Sequence, residues 1–246
     1  MSSMAVIVAA AGQSSRFKDG NYKKPFTILN QKAVWLHSVE RFLNRSDVKQ
    51  VIIVIAVEDR EDFCSRFGAN LAVMGIDLVL GGQHRSDSIQ NGLSKVDPKH
   101  EFVCVHDAAR PCITDEWIDR VVIEARASGA AILATPIQST IKRSQNGRTV
   151  DETVSRDNLF LAQTPQVFRR DLLVSAYKKR GDFQPTDEAQ LVERLGHKVA
   201  LVIGSPLNIK ITTKADMSFA AACLKALPPA KFDAPLHPFS DDKIWR

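Results

Sequence analysis

The sequence lacks the features of secreted and membrane-spanning proteins. Its N-terminus has no basic region followed by a long apolar stretch and a cleavage site, and no run approaches the ~18 consecutive apolar residues that span a bilayer. The four cysteines form no C-x-x-C pair and lie in or beside apolar runs, as the reduced thiols of cytosolic proteins do. We therefore expect a cytoplasmic protein that has no membrane partner.

Clustered charge is also missing. The net charge of +5 is mild for 246 residues, and Lys and Arg are interspersed with acidic residues. A nucleic-acid partner is therefore not expected, whereas small anionic ligands remain plausible. The composition, with 44% hydrophobic and 25% charged residues, is typical of a globular chain that can bury a sizeable core.

The two common nucleotide-binding glycine motifs do not occur at Gly12, which follows the first predicted strand. No second glycine and no Lys-Ser or Lys-Thr pair completes a G-x-x-x-x-G-K-[ST] motif, and G-x-G-x-x-G is absent there as well. Small and hydroxylated residues nevertheless follow Gly12, and then the cations Arg16, Lys23 and Lys24. This stretch fits either a phosphate site or a tight turn before solvated lysines.

Buried strands and amphipathic helices alternate along the chain. Apolar runs predict strands at 51–57, 76–80, 102–105, 131–135, 199–203 and 208–212. Helical spacing predicts a helix ahead of residue 51 and further helices after residue 80, with none between 57 and 76. Ser86 or Asp87, Thr114 and Thr213 are candidate helix N-caps. We predict a Rossmann-like α/β fold, a mostly parallel sheet flanked by helices, in a single domain over residues 1–226. The proline-containing tail, 227–246, is expected to be loosely held.

Three loops directly follow predicted strands: the Gly12 loop, the Gly81-Gly82 break and the HDAARP turn at 106–111. In parallel sheets, ligands bind outside the C-terminal ends of the strands. We therefore expect these loops to form one crevice.

Residues 136–168 break the alternation. Two largely polar segments flank Asn146-Gly147, a pair that favours a two-residue hairpin turn. An isolated polar hairpin is only marginally stable in water. We therefore predict an arm that a second copy of the chain orders, which makes the protein a homodimer.

Eight short motifs occur in an order that resembles the 2-C-methyl-D-erythritol 4-phosphate cytidylyltransferase family over roughly residues 5–224. They are AAAGQSSRF at 9–17, KKPF at 23–26, GGQHRSDS at 81–88, HDAARP at 106–111, TIKR at 140–143, TPQ at 164–166, TDEA at 186–189 and NIKIT at 208–212. The resemblance implies transfer of CMP from CTP to 2-C-methyl-D-erythritol 4-phosphate with release of pyrophosphate. It also implies Mg²⁺ as the cofactor and a homodimer whose arms reach into each other's sites.

The same resemblance assigns roles to individual residues. It implies catalytic charges at Arg16, Lys24 and Lys210, and nucleotide contacts from Ala10, Ala11, Gly12, Gly82, Arg85, Ser88 and Asp107. Asp107 is also the expected Mg²⁺ ligand, since Mg²⁺ usually takes only one or two protein carboxylates. Acceptor contacts are implied for Arg110, Thr140, Arg156 and Thr186, with Thr140 and Arg156 acting across the dimer. Ser88 and Thr186 also fit purely structural roles as helix caps. His106 is given no catalytic role, because the attacking phosphate is already ionised near neutral pH.

Two other functions are also compatible with the sequence. A ribitol-5-phosphate cytidylyltransferase resembles the chain in its first loop, its GG…R segment and its TPQ segment, although HDAARP and TIKR favour the methylerythritol enzyme. A nucleotide-binding regulator without catalysis is the second alternative, and the joint presence of Lys24, Asp107, Arg156 and Lys210 disfavours it. About twenty residues follow the last predicted helix, so a fused cyclase domain is not expected.

Overall fold

The computed structural model of the chain describes residues 2–12 and 24–229. Its strands are β1 (Met4–Ala9), β2 (Ile28–Leu29), β3 (Lys32–Ala33), β4 (Val48–Ile55), β5 (Ile76–Leu80), β6 (Phe102–Asp107), β7 (Ala130–Pro136), β8 (Ile141–Arg143), β9 (Glu152–Val154), β10 (Phe160–Arg169) and β11 (Ala200–Ile203). Its α-helices are α1 (Val34–Leu43), α2 (Arg60–Met74), α3 (Arg85–Lys95), α4 (Asp115–Ser128), α5 (Arg170–Lys178), α6 (Glu188–Glu193) and α7 (Lys214–Ala226). Short 3₁₀ turns cover Lys24–Phe26 and Val57–Asp59.

Seven strands form one sheet in the order β11-β7-β10-β6-β1-β4-β5. All of its ladders are parallel except the two made by β10, which runs antiparallel to both β6 and β7. The predicted α/β fold with a mostly parallel sheet is therefore confirmed.

Apolar layers cover both faces of this sheet. On one face Trp35 of α1 and Phe63 and Phe67 of α2 pack together, with ring centroids 5.2–5.5 Å apart. On the other face Leu93 of α3 and Tyr177 of α5 join a second apolar cluster. Because both faces are covered, β1 and β6 are buried along their lengths, which holds their C-terminal ends in place.

Helix α2 was not predicted from the sequence. Only Phe63 and Phe67 of its fifteen residues are buried, so its apolar stripe is too narrow for the helical period to stand out. Gly75, with a φ of +63°, ends the helix in the left-handed region.

The arm differs from its prediction in extent and in its turn. Residues 160–168 are not part of it, because they pair with β6 and β7 as β10. Pro165 lies within this central strand, where the irregularity between Ala162 and Gln166 accommodates it. The predicted two-residue turn is also wrong. Arg143 pairs with Glu152, and Asn146 Oδ1 accepts hydrogen bonds from the N–H groups of Arg148 and Thr149 in a longer loop.

Two predicted caps are confirmed and two are corrected. Thr114 accepts from Trp117 N, and Thr213 forms a capping box with Asp216. Helix α6 is capped by Asp187 and not by Thr186, and α3 begins after His84. Asp87 accepts a hydrogen bond from His84 N at 3.0 Å, three residues inside the helix.

The predicted strand at 208–212 is wrong. Asn208 is fully buried and donates its amide N–H to Thr164 O at 2.9 Å, and Ile211 N donates to Ala109 O at 2.8 Å. These individual hydrogen bonds, and not a strand ladder, hold the segment across the end of the sheet. Among the helices in residues 2–12 and 24–229, none has both the length and the apolar character needed to cross a membrane.

Candidate active site

The three predicted loops do meet at one edge of the sheet. Ala108 N donates to Ala9 O at 3.0 Å, and Gly81 N donates to Ile55 O at 2.7 Å. A Cβ atom at Gly81 would lie 2.8 Å from Ala11 Cβ and 2.6 Å from Ser88 Oγ. The close approach of the first and second loops therefore requires glycine at this position.

Asp107 is the centre of a cluster of charges at the end of β6. Its carboxylate lies 2.8 Å from Lys210 Nζ, 3.4 Å from Arg110 Nε and 3.5 Å from an Arg85 nitrogen. Burial alone would raise the pKa of this carboxyl, since its side chain is only 8% exposed. The three cations outweigh the burial and hold the pKa of Asp107 well below its usual range, so the group is a carboxylate at any physiological pH.

Lys210 and Arg110 reach Asp107 from two directions. Arg110 Nη1 also donates to Asn208 O at 2.8 Å, which ties the HDAARP turn to the segment that carries Lys210. Burial lowers the pKa of Arg110, and Asp107 offsets part of that effect. An irregular segment thus delivers Lys210, whose side chain is 43% exposed and accessible to a ligand.

Arg85 is held by a buried residue that was not predicted as part of the site. Glu188 is fully buried and accepts hydrogen bonds from both terminal nitrogens of Arg85, at 2.8 and 3.0 Å. Tyr177 Oη donates to the same carboxylate at 3.1 Å. Burial acts against the charge on Arg85, but Glu188 and Asp107 outweigh it and raise the pKa of the guanidinium. The TDEA motif contains Glu188, but no sequence signal pairs positions that lie 103 residues apart.

His106 is a structural residue. It is fully buried, and burial lowers its pKa to about 4, so the ring is neutral. Nε2 lies 3.2 Å from Arg110 O, which can only accept, so Nε2 carries the proton. Nδ1 is therefore an acceptor for the Thr164 hydroxyl, and Thr164 Oγ1 in turn accepts from Asp107 N at 3.0 Å. The ring braces the turn between Asp107 and Arg110.

Ser88 supports the glycine loop. Its hydroxyl accepts from Gly82 N at 3.1 Å and donates to His84 O at 3.0 Å, and the residue is 4% exposed. Ser88 lies inside α3, whose N-cap is His84, so it is not the helix cap that the sequence left open. The contacts of Ser88 and Gly82 with a nucleotide remain predictions.

Some predicted site residues lie outside the residues that the structure describes, or directly beside that gap. Arg16 lies outside the described residues, and so does the side chain of Lys24, whose backbone begins the first 3₁₀ turn. Ala10 is buried and Gly12 is exposed at the end of β1, with Ala11 partly buried between them.

The three remaining acceptor-binding candidates are exposed. Arg156 donates to Gln138 O within the arm, Thr140 precedes β8, and Thr186 N donates to Gln190 Oε1 at 2.9 Å. Within the part of the chain that the structure describes, none of them hydrogen-bonds to Asp107, Arg110 or Lys210. One chain alone therefore assembles Arg85, Asp107, Arg110 and Lys210, but not the arm residues.

A cleft of about 520 Å³ opens beside Arg110. Asn208 and Gln163 contribute polar groups to its wall, and Pro136 and Leu161 at the base of the arm contribute apolar ones. Arg110 belongs both to its wall and to the charge cluster, so the cleft has room for a small molecule whose phosphate faces Arg110.

The protein side chains supply few ligands for a metal ion. In residues 2–12 and 24–229 there is no group of three or more His, Cys, Asp or Glu side chains placed to hold one. Asp107 is ionised and stands at the strand end, where a bound polyphosphate would complete the coordination of a hard cation. The donor set therefore fits a Mg²⁺ ion that shares its ligands with a phosphate substrate.

Comparisons with known proteins all point to one family. The sequence model of the family described as 2-C-methyl-D-erythritol 4-phosphate cytidylyltransferase matches residues 4–226. Relatives with that name from Bacillus velezensis and Rhodopirellula baltica are 42% and 39% identical, and each match covers 90% of this chain and 95% of the relative. The crystal structure of 4-diphosphocytidyl-2C-methyl-D-erythritol synthase from Anaerococcus prevotii is 29% identical and superposes with a TM-score of 0.75. That match covers 91% of this chain and 99% of the other.

Proposed function

The chain belongs to the 2-C-methyl-D-erythritol 4-phosphate cytidylyltransferase family, and from this premise we propose which of its residues carry out the reaction. It is a nucleotidyltransferase that transfers CMP from CTP to 2-C-methyl-D-erythritol 4-phosphate in the non-mevalonate route to isoprenoids. The acceptor phosphate attacks the α-phosphorus of CTP, and pyrophosphate leaves. Neither ribitol 5-phosphate as the acceptor nor a loss of catalysis is needed to explain the chain.

The observation that carries the residue assignment is the cluster of three cations around Asp107. Two polyanions must approach each other in this reaction, so the enzyme's task is positioning and neutralisation of charge. Lys210 and Arg110 are the cations that receive the acceptor phosphate. Thr186, two residues before the first residue of α6, is the further acceptor contact in this proposal. Their arrangement explains how a site with no covalent nucleophile promotes the transfer.

The nucleotide lies across the strand-end loops. The backbone of Ala10, Ala11 and Gly12 faces its phosphates, and Arg16 and Lys24 supply the countercharge, with Lys24 beside the α-phosphate. Gly82, Arg85 and Ser88 border the nucleoside. Support for this placement comes from the contact between the Gly81 and Ala11 loops and from the position of Arg85 above Asp107.

Asp107 is proposed as the residue that would hold Mg²⁺. Bound there, the ion would neutralise charge on the phosphate oxygens as it builds up in the transition state. Lys210 shares this carboxylate at 2.8 Å, and with phosphates bound its ammonium group would pair with them. Its half-exposed side chain has room to do so, and the acceptor phosphate is its natural new partner.

A homodimer completes the site in this proposal. Strands β8 and β9 pair with each other in a small sheet of their own, and their side chains are mostly exposed. Val150 in the arm, and Leu159, Phe160 and Leu161 at its base, are exposed apolar residues. A second copy would cover this surface and bring Thr140 and Arg156 to the acceptor.

We also propose that the protein works in the cytoplasm. All four cysteines are free thiols, and three of them are buried in the core. Free thiols of this kind are usual in reducing compartments.

Pyrophosphate release from CTP tests the assignment of substrates and residues. We expect release with 2-C-methyl-D-erythritol 4-phosphate, and little with ribitol 5-phosphate or with no acceptor. Asp107→Asn and Lys210→Ala should each lower kcat by about 10²–10³, the usual cost of losing one preorganised charge. Lys49→Ala, at an exposed residue at the start of β4, is the control and should leave kcat unchanged. Equal turnover of both polyol phosphates, or normal kcat in the Asp107 and Lys210 variants, would contradict the proposal.

A further inference from the structure

We propose that Glu188 is a positioning residue for the nucleotide, acting through Arg85. It touches no substrate in this proposal. Its carboxylate instead sets the place and orientation of the Arg85 guanidinium, which lies between α6 and Asp107. The inference rests on the proposed role of Arg85 in binding CTP.

The geometry of the Arg85–Glu188 pair is that of a two-point clamp. Two parallel hydrogen bonds of 2.8 and 3.0 Å join the terminal nitrogens of Arg85 to both oxygens of Glu188. Two such bonds remove the freedom of the planar guanidinium to rotate, which a single contact does not. The 3.5 Å contact of Arg85 with Asp107 is longer, so Glu188 is the partner that determines where the charge sits.

Glu188 is itself held rigidly. It is fully buried at the first residue of α6, and Tyr177 of α5 donates a third hydrogen bond to it at 3.1 Å. Asp187 before it caps the helix and accepts from Gln166 of β10 at 2.8 Å. The clamp is thus fastened to the sheet and to two helices, while the guanidinium that it holds is 29% exposed toward the site.

Charge explains why a carboxylate is needed at this position. Without Glu188, the nearest carboxylate for Arg85 is Asp107, which already carries Lys210 and Arg110. Arg85 would then turn toward Asp107 in the free protein, and CTP would have to reverse that shift in order to bind. A buried carboxylate on the far side keeps Arg85 in place and leaves Asp107 available.

The test compares CTP affinity, KM and kcat in variants that change charge, reach or the supporting bond. In Glu188→Gln the side chain keeps its size but loses its charge, and we expect KM and the dissociation constant for CTP to rise about tenfold. The kcat at saturating CTP should stay within about threefold of the wild-type value.

Glu188→Asp keeps the charge at a shorter reach and should recover part of the affinity. Tyr177→Phe removes only the supporting bond and should weaken CTP binding about twofold to threefold. Glu193→Gln, at the exposed end of α6, is the matched control and should change neither value.

Arg85→Ala separates the inference from the proposed function. If Arg85→Ala does not weaken CTP binding, the nucleotide role of Arg85 is wrong, and so is the role of Glu188. If Arg85→Ala weakens binding but Glu188→Gln does not, only the inference fails. In the Arg85→Ala background, Glu188→Gln should cause no further loss, because the residue that it positions is gone. An equal loss in both backgrounds would show that Glu188 acts by another route.

If Glu188→Gln does not fold, Glu188→Asp and Tyr177→Phe decide the question. A lower melting temperature with unchanged CTP affinity in both would reduce the clamp to a structural role. Weaker CTP binding, measured well below the melting temperature, supports positioning.

Discussion

At the scale of single residues, the site depends on a few buried groups that touch no substrate. His106, Thr164 and Glu188 fix the orientation of Asp107 and Arg85, and all three are nearly or fully buried. Only Arg85 and Lys210 of the cluster expose a substantial part of the side chain. The residues that bind ligands are therefore supported by a second set whose roles are hydrogen bonding and packing.

The buried, neutral state of His106 predicts how stability depends on pH. Its pKa is about 4 in the folded chain against 6.5 for an ordinary histidine. Above pH 6.5 neither the folded nor the unfolded chain protonates this group. As the pH falls from 6.5 to 4, the unfolded chain takes up a proton that the folded chain does not. The free energy of unfolding should therefore fall by up to about 3 kcal/mol across this window from His106 alone.

His106→Asn tests this dependence through urea unfolding at several pH values between 7.5 and 4.5. The variant should be less stable near pH 7, because the brace is altered, but its stability should fall less steeply below pH 6.5. The carboxyl of Asp107 does not interfere, since its pKa is lowered and its contribution is lost only at still lower pH. The same slope in both proteins would contradict the assignment of a neutral, buried ring.

At the scale of elements, the site forms where the ends of β1, β5 and β6 are brought together. Parallel strands place their C-terminal ends on one edge, and the loops then need only small residues to approach each other. The irregular segment from Asn208 to Ile211 closes the edge. It is held by Arg110, Thr164 and Ala109 through hydrogen bonds that no repeating pattern predicts.

Gly81→Ala should disturb the junction between β5 and the Ala11 loop. The added methyl would lie 2.8 Å from Ala11 Cβ and 2.6 Å from Ser88 Oγ, and one of the loops must move. We expect a loss of about 1–3 kcal/mol in the free energy of unfolding, together with a higher KM for CTP. Thermal unfolding and steady-state kinetics measure the two effects.

Gly68→Ala is the matched control for this prediction. Gly68 lies inside α2, and a Cβ there meets no atom within 4 Å. Alanine should therefore stabilise the protein by about 0.5–1 kcal/mol through its helix propensity. If both substitutions change the free energy of unfolding equally, the close contact at Gly81 does not cause the destabilisation.

At the scale of the whole molecule, the proposed dimer leads to a complementation experiment. If Arg156 acts in the partner's site, a mixed dimer of Lys210→Ala and Arg156→Ala chains contains one site with both defects and one intact site. Each variant alone should be nearly inactive. After the chains have exchanged, half of the dimers should be mixed, so about a quarter of the wild-type activity should return.

If the subunits exchange but no activity returns, Arg156 acts within its own chain or not at all. A sedimentation measurement at micromolar concentration serves as the control, because it establishes that dimers are present. A monomer there would contradict the dimer itself.

Much of the fold could be predicted because its signals are local. Continuous β-branched runs at β1 and β4, and the caps at Thr114 and Thr213, depend on near neighbours in the chain, and the structure confirms them. Helix α2 and strand β10 were missed for the opposite reason. Helix α2 buries only two side chains, and strand β10 contains a proline. In both elements tertiary packing outweighed the local pattern.

The sequence by itself determined the class of the fold, the family and the position of the Asp107 turn at a strand end, since these follow from short motifs and their order. Only the tertiary structure decided that Glu188 holds Arg85, that His106 braces the turn, and that Lys210 arrives on an irregular segment. The reason is physical. Charge pairs and buried hydrogen bonds join residues that lie far apart along the chain, and their energy depends on distance and burial, which composition and spacing do not contain.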